Sequence, residues 1–205
     1  MKLFIQYSPH GFSNLYLLGP ERPGQAIIID PGLLDVKLLD HLDRNGYSVG
    51  AVLITHNHPS HIRGLSTLRK IYDVEVFSAS AEILERGCTL VSDGQILRFS
   101  DIEIEVLSVP GHTADSVAYR IDKMVFSGDA MSAGLIGKTN SSYGAHQLML
   151  NLWQKVLSLS DDTIIFPGHG PPTSVKAEKL YSLGLSDPGK KQGSRFKDIE
   201  QLMDG

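Results

Sequence analysis

The chain has 205 residues, a formal net charge of -4, 41% hydrophobic residues and 20% charged residues. That composition suits one soluble globular domain, with room for a tail, and the length is enough to bury a sizeable core. It disfavours a nucleic-acid partner, because no basic patch stands out, and a membrane span, because no apolar run approaches about 18 residues.

The start, MKLFIQYSPHG, lacks the long apolar region of a secretory signal. Cys88 is the single cysteine. It cannot form an internal disulfide, which fits a reducing compartment, and the expected location is the cytoplasm. Cys88 itself is assigned no role.

Short strands rich in branched and aromatic residues are expected first, over Leu3–Gln6, Leu15–Leu18 and Ala26–Ile29. Asp30-Pro31-Gly32 turns the chain after the third. Leu34, Leu38 and Leu42 recur every four residues and predict an amphipathic helix. Ala51–Thr55 reads as a buried strand that delivers His56 at its end. A helix over Ile62–Ile71 follows, with Ser60 as its N-cap. Val74–Phe77 reads as a strand and Ala81–Glu85 as a helical turn. Strands over Gln95–Phe99, Ile102–Val109, Val117–Ile121 and Met124–Phe126 come in close succession. Leu148, Leu152, Val156 and Leu159 mark a longer helix, Ile164–Phe166 a last core strand and Val175–Leu180 a last helix.

Two clusters of strands, each followed by helices, suggest two sheets packed face to face with helices outside. We expect one domain over residues 1–183 and a tail over 184–205. In the tail Asp187–Lys191 reads as a linker. Phe196, Ile199, Leu202 and Met203 line one face of a short helix that packs on the domain, packs on a partner subunit, or stays mobile.

The chemistry is concentrated at predicted strand ends. "THNHPSHIRG" carries His56, His58 and His61; "VPGHTADS" carries His112; "FSGDAMSAG" carries Asp129; "FPGHGPPT" carries His169. Imidazoles are common ligands of zinc, iron and copper, and a carboxylate can compensate charge and bridge two ions. His56 and His58, two apart on extended chain, point to the same side and can pinch one ion. His61, one turn on, suits a second. Three protein ligands plus a water suffice for a catalytic zinc. His10, His41 and His146 read as ordinary surface or boundary residues. Lys138 and Tyr143 read as solvated loop residues at least as readily as substrate contacts. Thr113 and Ser116 read equally as loop caps or as hydrogen-bond partners of ligands.

With these motifs in hand, the chain resembles the metallo-β-lactamase-fold superfamily from about residue 10 to residue 180. The family's His-x-His-x-Asp-His pattern matches His56, His58, Ser60 and His61, with Ser60 in the Asp place. Its later His, bridging Asp and final His match His112, Asp129 and His169, and "IIIDPG" resembles the segment before its first long helix. "FSGDAMSAGLIGKTNSSY" and "DDTIIFPGHGPPTSVKAEK" are similar to the glyoxalase-II-like branch, in its short single-domain form.

The resemblance implies an α/β fold, an αββα sandwich of two mixed sheets with the metals at one edge. It implies His56, His58 and His112 with Asp129 around one ion, and His61, His169 and Asp129 around the second. The implied function is metal-dependent hydrolysis of a thioester by a metal-bound hydroxide, with a glutathione thioester or another small thioester as substrate. The implied cofactor is Zn, as one or two ions, with Fe or Mn as alternatives. Asp129, and with it Ser60, are the candidate catalytic residues. Ser is neutral and a weak ligand where the family has a carboxylate, so the second ion is expected to bind more weakly. Two other readings stay open: a mononuclear iron persulfide-dioxygenase-like oxidoreductase, and a metal-binding domain with little or no catalysis. The oligomeric state is not readable from the sequence.

Overall fold

Strands that are apolar on both faces dictate the architecture, because such strands are stable only between two covering layers. The structure is a computed structural model in which residues 1–9, 11–84, 87–182 and 185 are described. His10, Glu85 and the tail residues Phe196, Ile199, Leu202 and Met203 lie outside the described residues.

The first sheet takes β1 (Lys2–Tyr7), β2 (Asn14–Gly19), β3 (Gly24–Ile29), β4 (Tyr47–Leu53), β5 (Glu75–Ser78) and β6 (Thr89–Leu90) in that spatial order. The pairs β1–β2 and β2–β3 are antiparallel, and the pairs from β3 to β6 are parallel. Between these strands lie α1 (Val36–Asn45), α2 (Pro59–Ile62), α3 (Leu65–Ile71) and α4 (Ala81–Leu84). The second half forms β7 (Ile96–Phe99), β8 (Ile102–Ser108), β9 (Val117–Ile121), β10 (Met124–Gly128), a small hairpin of β11 (Met131–Ser132) and β12 (Leu135–Ile136), α5 (Ser142–Asn151), β13 (Ile164–Pro167), β14 (Thr173–Ser174) and α6 (Val175–Tyr181). The second sheet runs β14-β13-β10-β9-β8-β7, with β10–β13 the parallel pair.

Alternation along each strand sorts the core into three layers. Tyr16, Leu18, Ile27 and Ile29 face inward and meet Val106, Tyr119 and Phe126 of the second sheet. Leu15, Leu17, Ala26 and Ile28 face outward onto Leu38 and Leu42 of α1 and Leu65 and Leu68 of α3. Beyond the second sheet, Ala118, Val125 and Ile165 meet Leu148 of α5, Leu152 and Val175. Leu185 is also buried in this outer layer. Each fully buried Leu or Ile stabilises the fold by about 1.5–3 kcal/mol. The result is the αββα sandwich of two mixed sheets expected from the strand clusters. Among the described residues no helix is long and apolar enough to cross a membrane.

The helix ends differ in detail from the sequence reading. Asp35 caps α1 through Leu38 N–H at 3.0 Å, and Gly46, with φ 63°, ends it. Ser60 is not an N-cap. The cap position is His58, whose side chain makes no cap bond, and the helix begins at Pro59. Proline's fixed φ and missing N–H favour the first helical position, so the start moves ahead of Ser60. The helix expected over Ile62–Ile71 is interrupted at Gly64, where the backbone N–H bonds Pro31 O at 2.7 Å. The helix expected around Leu148 starts at Ser142, capped by Ser141, and passes into one π turn over Leu152–Val156.

Candidate metal centre

Asp30 follows β3, Thr55 and His56 follow β4, His112 follows β8, Asp129 follows β10 and His169 follows β13. β2 runs the other way, so the residues just before it reach the same rim. Ser13 bridges to His169, and Asn14 N–H bonds Gly168 O at 2.8 Å. Asn14 Nδ2 adds bonds to Pro167 O and Gly170 O, which stitches the two sheets together at this edge.

The sequence-predicted residues meet in two groups that share Asp129: His56, His58, His112 and Asp129, and His61, Asp129 and His169. Within each group the donor atoms all lie within 4.8 Å of one another. In the first, His58 Nδ1 is 2.9 Å from His56 Nε2 and 3.2 Å from His112 Nε2. Both Nε2 atoms are 3.7 Å from Asp129 Oδ2. In the second, His169 Nε2 is 3.3 Å from Asp129 Oδ2, and His61 Nε2 is 3.3 Å from Asp129 Oδ1.

Four imidazoles are fixed from behind. His56 Nδ1 faces Thr55 Oγ1 at 3.1 Å, and Thr55 Oγ1 faces Asp30 Oδ2 at 2.7 Å. An ionised carboxylate only accepts, so the threonine donates to Asp30 and accepts from His56 Nδ1–H. His61 Nδ1 lies 2.9 Å from Asp30 Oδ2, His112 Nδ1 2.7 Å from Lys138 O, and His169 Nδ1 2.8 Å from Phe12 O. Each Nδ1 therefore carries a proton, and each Nε2 turns into the cluster, where it is the nitrogen that would bind an ion.

This donor set fits metal ions. His61 Nε2 and Asp129 Oδ1 are buried with no hydrogen-bond partner, and a buried polar atom left that way is costly. The nitrogen spacings of the first group are near the about 3.3 Å that a tetrahedral ion with bonds of about 2.0–2.1 Å would set. Gly168 is shaped for the same purpose: a Cβ there would lie 2.3 Å from Asp129 Oδ1 and 2.6 Å from His61 Cε1.

Electrostatics divide the two groups. Burial, aided by the nearby His61, pushes His56 down to about 3. Burial and the neighbouring His112 also lower His58. Burial acts the same way on His61, but the Asp30 and Asp129 carboxylates outweigh it and raise His61 to about 10. Asp129's hydrogen bond raises His169. Burial works against ionisation of Asp129, yet His169 and His61 hold it far below the usual carboxylate range.

Ser60 sits in the first turn of α2 with its carbonyl accepting from Ser13 Oγ at 2.8 Å, so Asp129 is the one carboxylate of the second group. Thr113 and Ser116 bond each other, Oγ1 to Oγ at 2.6 Å, and act as loop caps. Lys138 and Tyr143 are exposed, and Lys138 serves the cluster through its carbonyl. His41 stacks on Phe4 at 4.1 Å, and His146 is exposed. The sequence reading missed Asp30 and Thr55. The signal for Asp30 was an acid directly after a buried strand; it adopts φ 52°, a rare left-handed conformation for a residue with a side chain.

The chain matches the metallo-beta-lactamase superfamily over residues 9–90 and 86–169. It is 35% identical over 147 residues to the hydroxyacylglutathione hydrolase of Xanthomonas euvesicatoria pv. vesicatoria (strain 85-10), covering 71% of this chain and 56% of that relative. The chain thus spans about half the length of that curated relative. It is 30% identical over 191 residues to the probable metallo-hydrolase YqgX of Bacillus subtilis (strain 168), covering 82% and 89% of the two chains. The crystal structure of ETHE1 from Myxococcus xanthus is similar at a TM-score of 0.83 and 29% identity, covering 98% of this chain and 91% of that one. The histidine and carboxylate cluster at the rim of an αββα sandwich and the match along most of the chain agree: this chain belongs to the metallo-beta-lactamase superfamily.

Proposed function

We propose that the chain is a metal-dependent hydrolase of thioesters, with a glutathione thioester or a similar small acyl thioester as substrate. The observation that carries this reading is the set of imidazoles anchored at Nδ1 whose Nε2 atoms converge on Asp129. In it His56, His58 and His112 hold one ion, His61 and His169 a second, and Asp129 is shared. Zinc suits these nitrogen and oxygen donors, and iron and manganese are the alternatives. Bound metal ions supply Lewis acidity and bring the pKa of a water down to about 7.

The chain's own residues set the rest. Asp30 and Thr55 orient the imidazoles of His61 and His56, and Gly168 leaves the space in which Asp129 approaches His61. A thiol with a pKa near 8.5 leaves as the thiolate without much help from an acid, whereas an amine needs a proton donor. Four of the five imidazoles, all but His58, already commit their Nδ1 protons to fixed acceptors. That favours thioesters over amides. The closeness to a hydroxyacylglutathione hydrolase supports the same substrate class.

A second reading, a mononuclear iron oxidoreductase of the persulfide-dioxygenase kind, is favoured by the uneven donor count of four and three around the shared carboxylate. Metal content and stoichiometry of the purified chain, measured beside turnover on a panel of acyl-glutathione thioesters, separate the two. Zinc with thioester turnover supports the first. One iron per chain, with oxygen uptake on glutathione persulfide, replaces it with the second. Neither activity on a metal-loaded chain leaves the weakly catalytic, metal-binding domain as the reading.

A further inference from the structure

We propose that Asp115 is a positioning residue for the first metal group: its carboxylate sets the His56–His58 loop against the loop that carries His112. The inference rests on the proposal that these three histidines hold one ion. Their nitrogens must meet to within a few tenths of an ångström, yet they come from different sheets. His56 and His58 follow β4 of the first sheet, and His112 follows β8 of the second. No strand pairing fixes one loop against the other, so the register depends on individual bonds across the gap.

Ahead of His56 the two halves are tied by Tyr119 OH donating to Ile54 O at 2.9 Å and by Val117 N–H donating to Thr55 O at 2.9 Å. Between His56 and His58 the tie is the backbone N–H of Asn57, which donates to Asp115 Oδ2 at 3.0 Å. His56 is thus bracketed, and its downstream bracket is a side chain. Asp115 in turn lies three residues beyond His112 in a tightly bonded loop. Gly111 N–H bonds Thr113 O at 3.1 Å, and Thr113 N–H and Oγ1 bond Ser116 Oγ at 3.2 and 2.6 Å. A displacement at Asp115 is therefore passed to His112. The Asn57 side chain bonds Glu82 of α4, on its own side of the gap, and that bond crosses nothing. A neutral side-chain oxygen in the same place can accept the Asn57 N–H, so Asp115→Asn separates position from the charge that Asp115 also sets near His58.

The test is cobalt titration of the metal-free full chain, read by visible absorption and by competition with a chromophoric chelator, with metal-free thermal unfolding recorded for each protein. Asp115→Ala and Asp115→Glu, which remove or misplace the acceptor, are expected to weaken the first ion by about tenfold or more, the range seen when outer partners of metal ligands are lost. Asp115→Asn is expected to restore binding to within about threefold of native, well short of that loss, and Glu82→Ala to leave it unchanged. Native-like cobalt binding by Asp115→Ala overturns the positioning role. Binding by Asp115→Asn as weak as by Asp115→Ala overturns it too, because charge would then be what matters. If Asp115→Ala does not fold, the Glu and Asn variants decide by the same comparison. A native chain that binds no cobalt instead overturns the ligand assignment itself.

Discussion

The two metal groups share one carboxylate and have opposite electrostatic characters. The first gathers three imidazoles whose nitrogens crowd to 2.9 and 3.2 Å, and it resists protons, with His56 near 3 and His58 lowered. The second has two imidazoles and attracts protons, with His61 near 10 and His169 raised. At His61 the difference comes from Asp30, which directly bonds its Nδ1, together with Asp129; at His169 it comes from Asp129. Where the family pattern that the chain resembles has an Asp, this chain has Ser60, so a negative charge is missing beside the proposed second ion. Asp30 supplies some of it from one layer further out. Weak binding at the second group is therefore expected to be a matter of ligand count more than of charge.

Removal of the shared carboxylate should have the largest effect on both groups. Asp129→Ala should abolish tight binding at both groups and reduce thioester turnover beyond the about 10–100-fold typical of an outer partner. Metal stoichiometry after dialysis reads this directly, and a variant that keeps either ion tightly bound would show that the groups do not share Asp129.

Gly168→Ala should separate the two groups. Its Cβ would collide with Asp129 Oδ1 and His61 Cε1, at 2.3 and 2.6 Å. The second ion should be lost, while the first, built on His56, His58 and His112, persists at reduced affinity. Equal loss of both ions would mean that Asp129 moves as a whole.

Ser60→Asp probes ligand count. The added carboxylate should tighten the second ion by about tenfold or more and leave the first unchanged, as measured by competition titration. Unchanged affinity at the second group would place residue 60 outside the ligand sphere.

The smallest effect concerns the metal-free chain. His61 in the fold is raised from its ordinary 6.5 to about 10. Its stabilisation is then fully present below about pH 6.5 and is lost as the pH climbs through about 10. Thermal unfolding of the metal-free chain should show that loss, and Asp30→Asn should flatten the profile. A profile that Asp30→Asn leaves unaltered would detach Asp30 from the His61 charge.

Much of this was legible before folding. The apolar run Ala51–Thr55 marks a buried strand, because neither face of such a strand tolerates water, and Leu15–Leu18 and Ala26–Ile29 read as strands from their branched and aromatic residues. The histidines and Asp129 stood out because each follows a strand, where side chains can be aimed into a shared cleft. Local chemistry misled at Ser60, whose capping propensity was overridden by the proline one residue earlier. Asp30, Thr55 and the carbonyls of Phe12 and Lys138 were invisible as partners of the histidines. Asp30 lies 31 residues from His61, and Phe12 lies 157 from His169. The residue order alone supplies which donors the chain carries and on which strand ends they sit, and the family resemblance supplies their grouping. The fold settles which nitrogen of each ring faces the cluster and what holds it there, because contacts between segments distant along the chain make those choices.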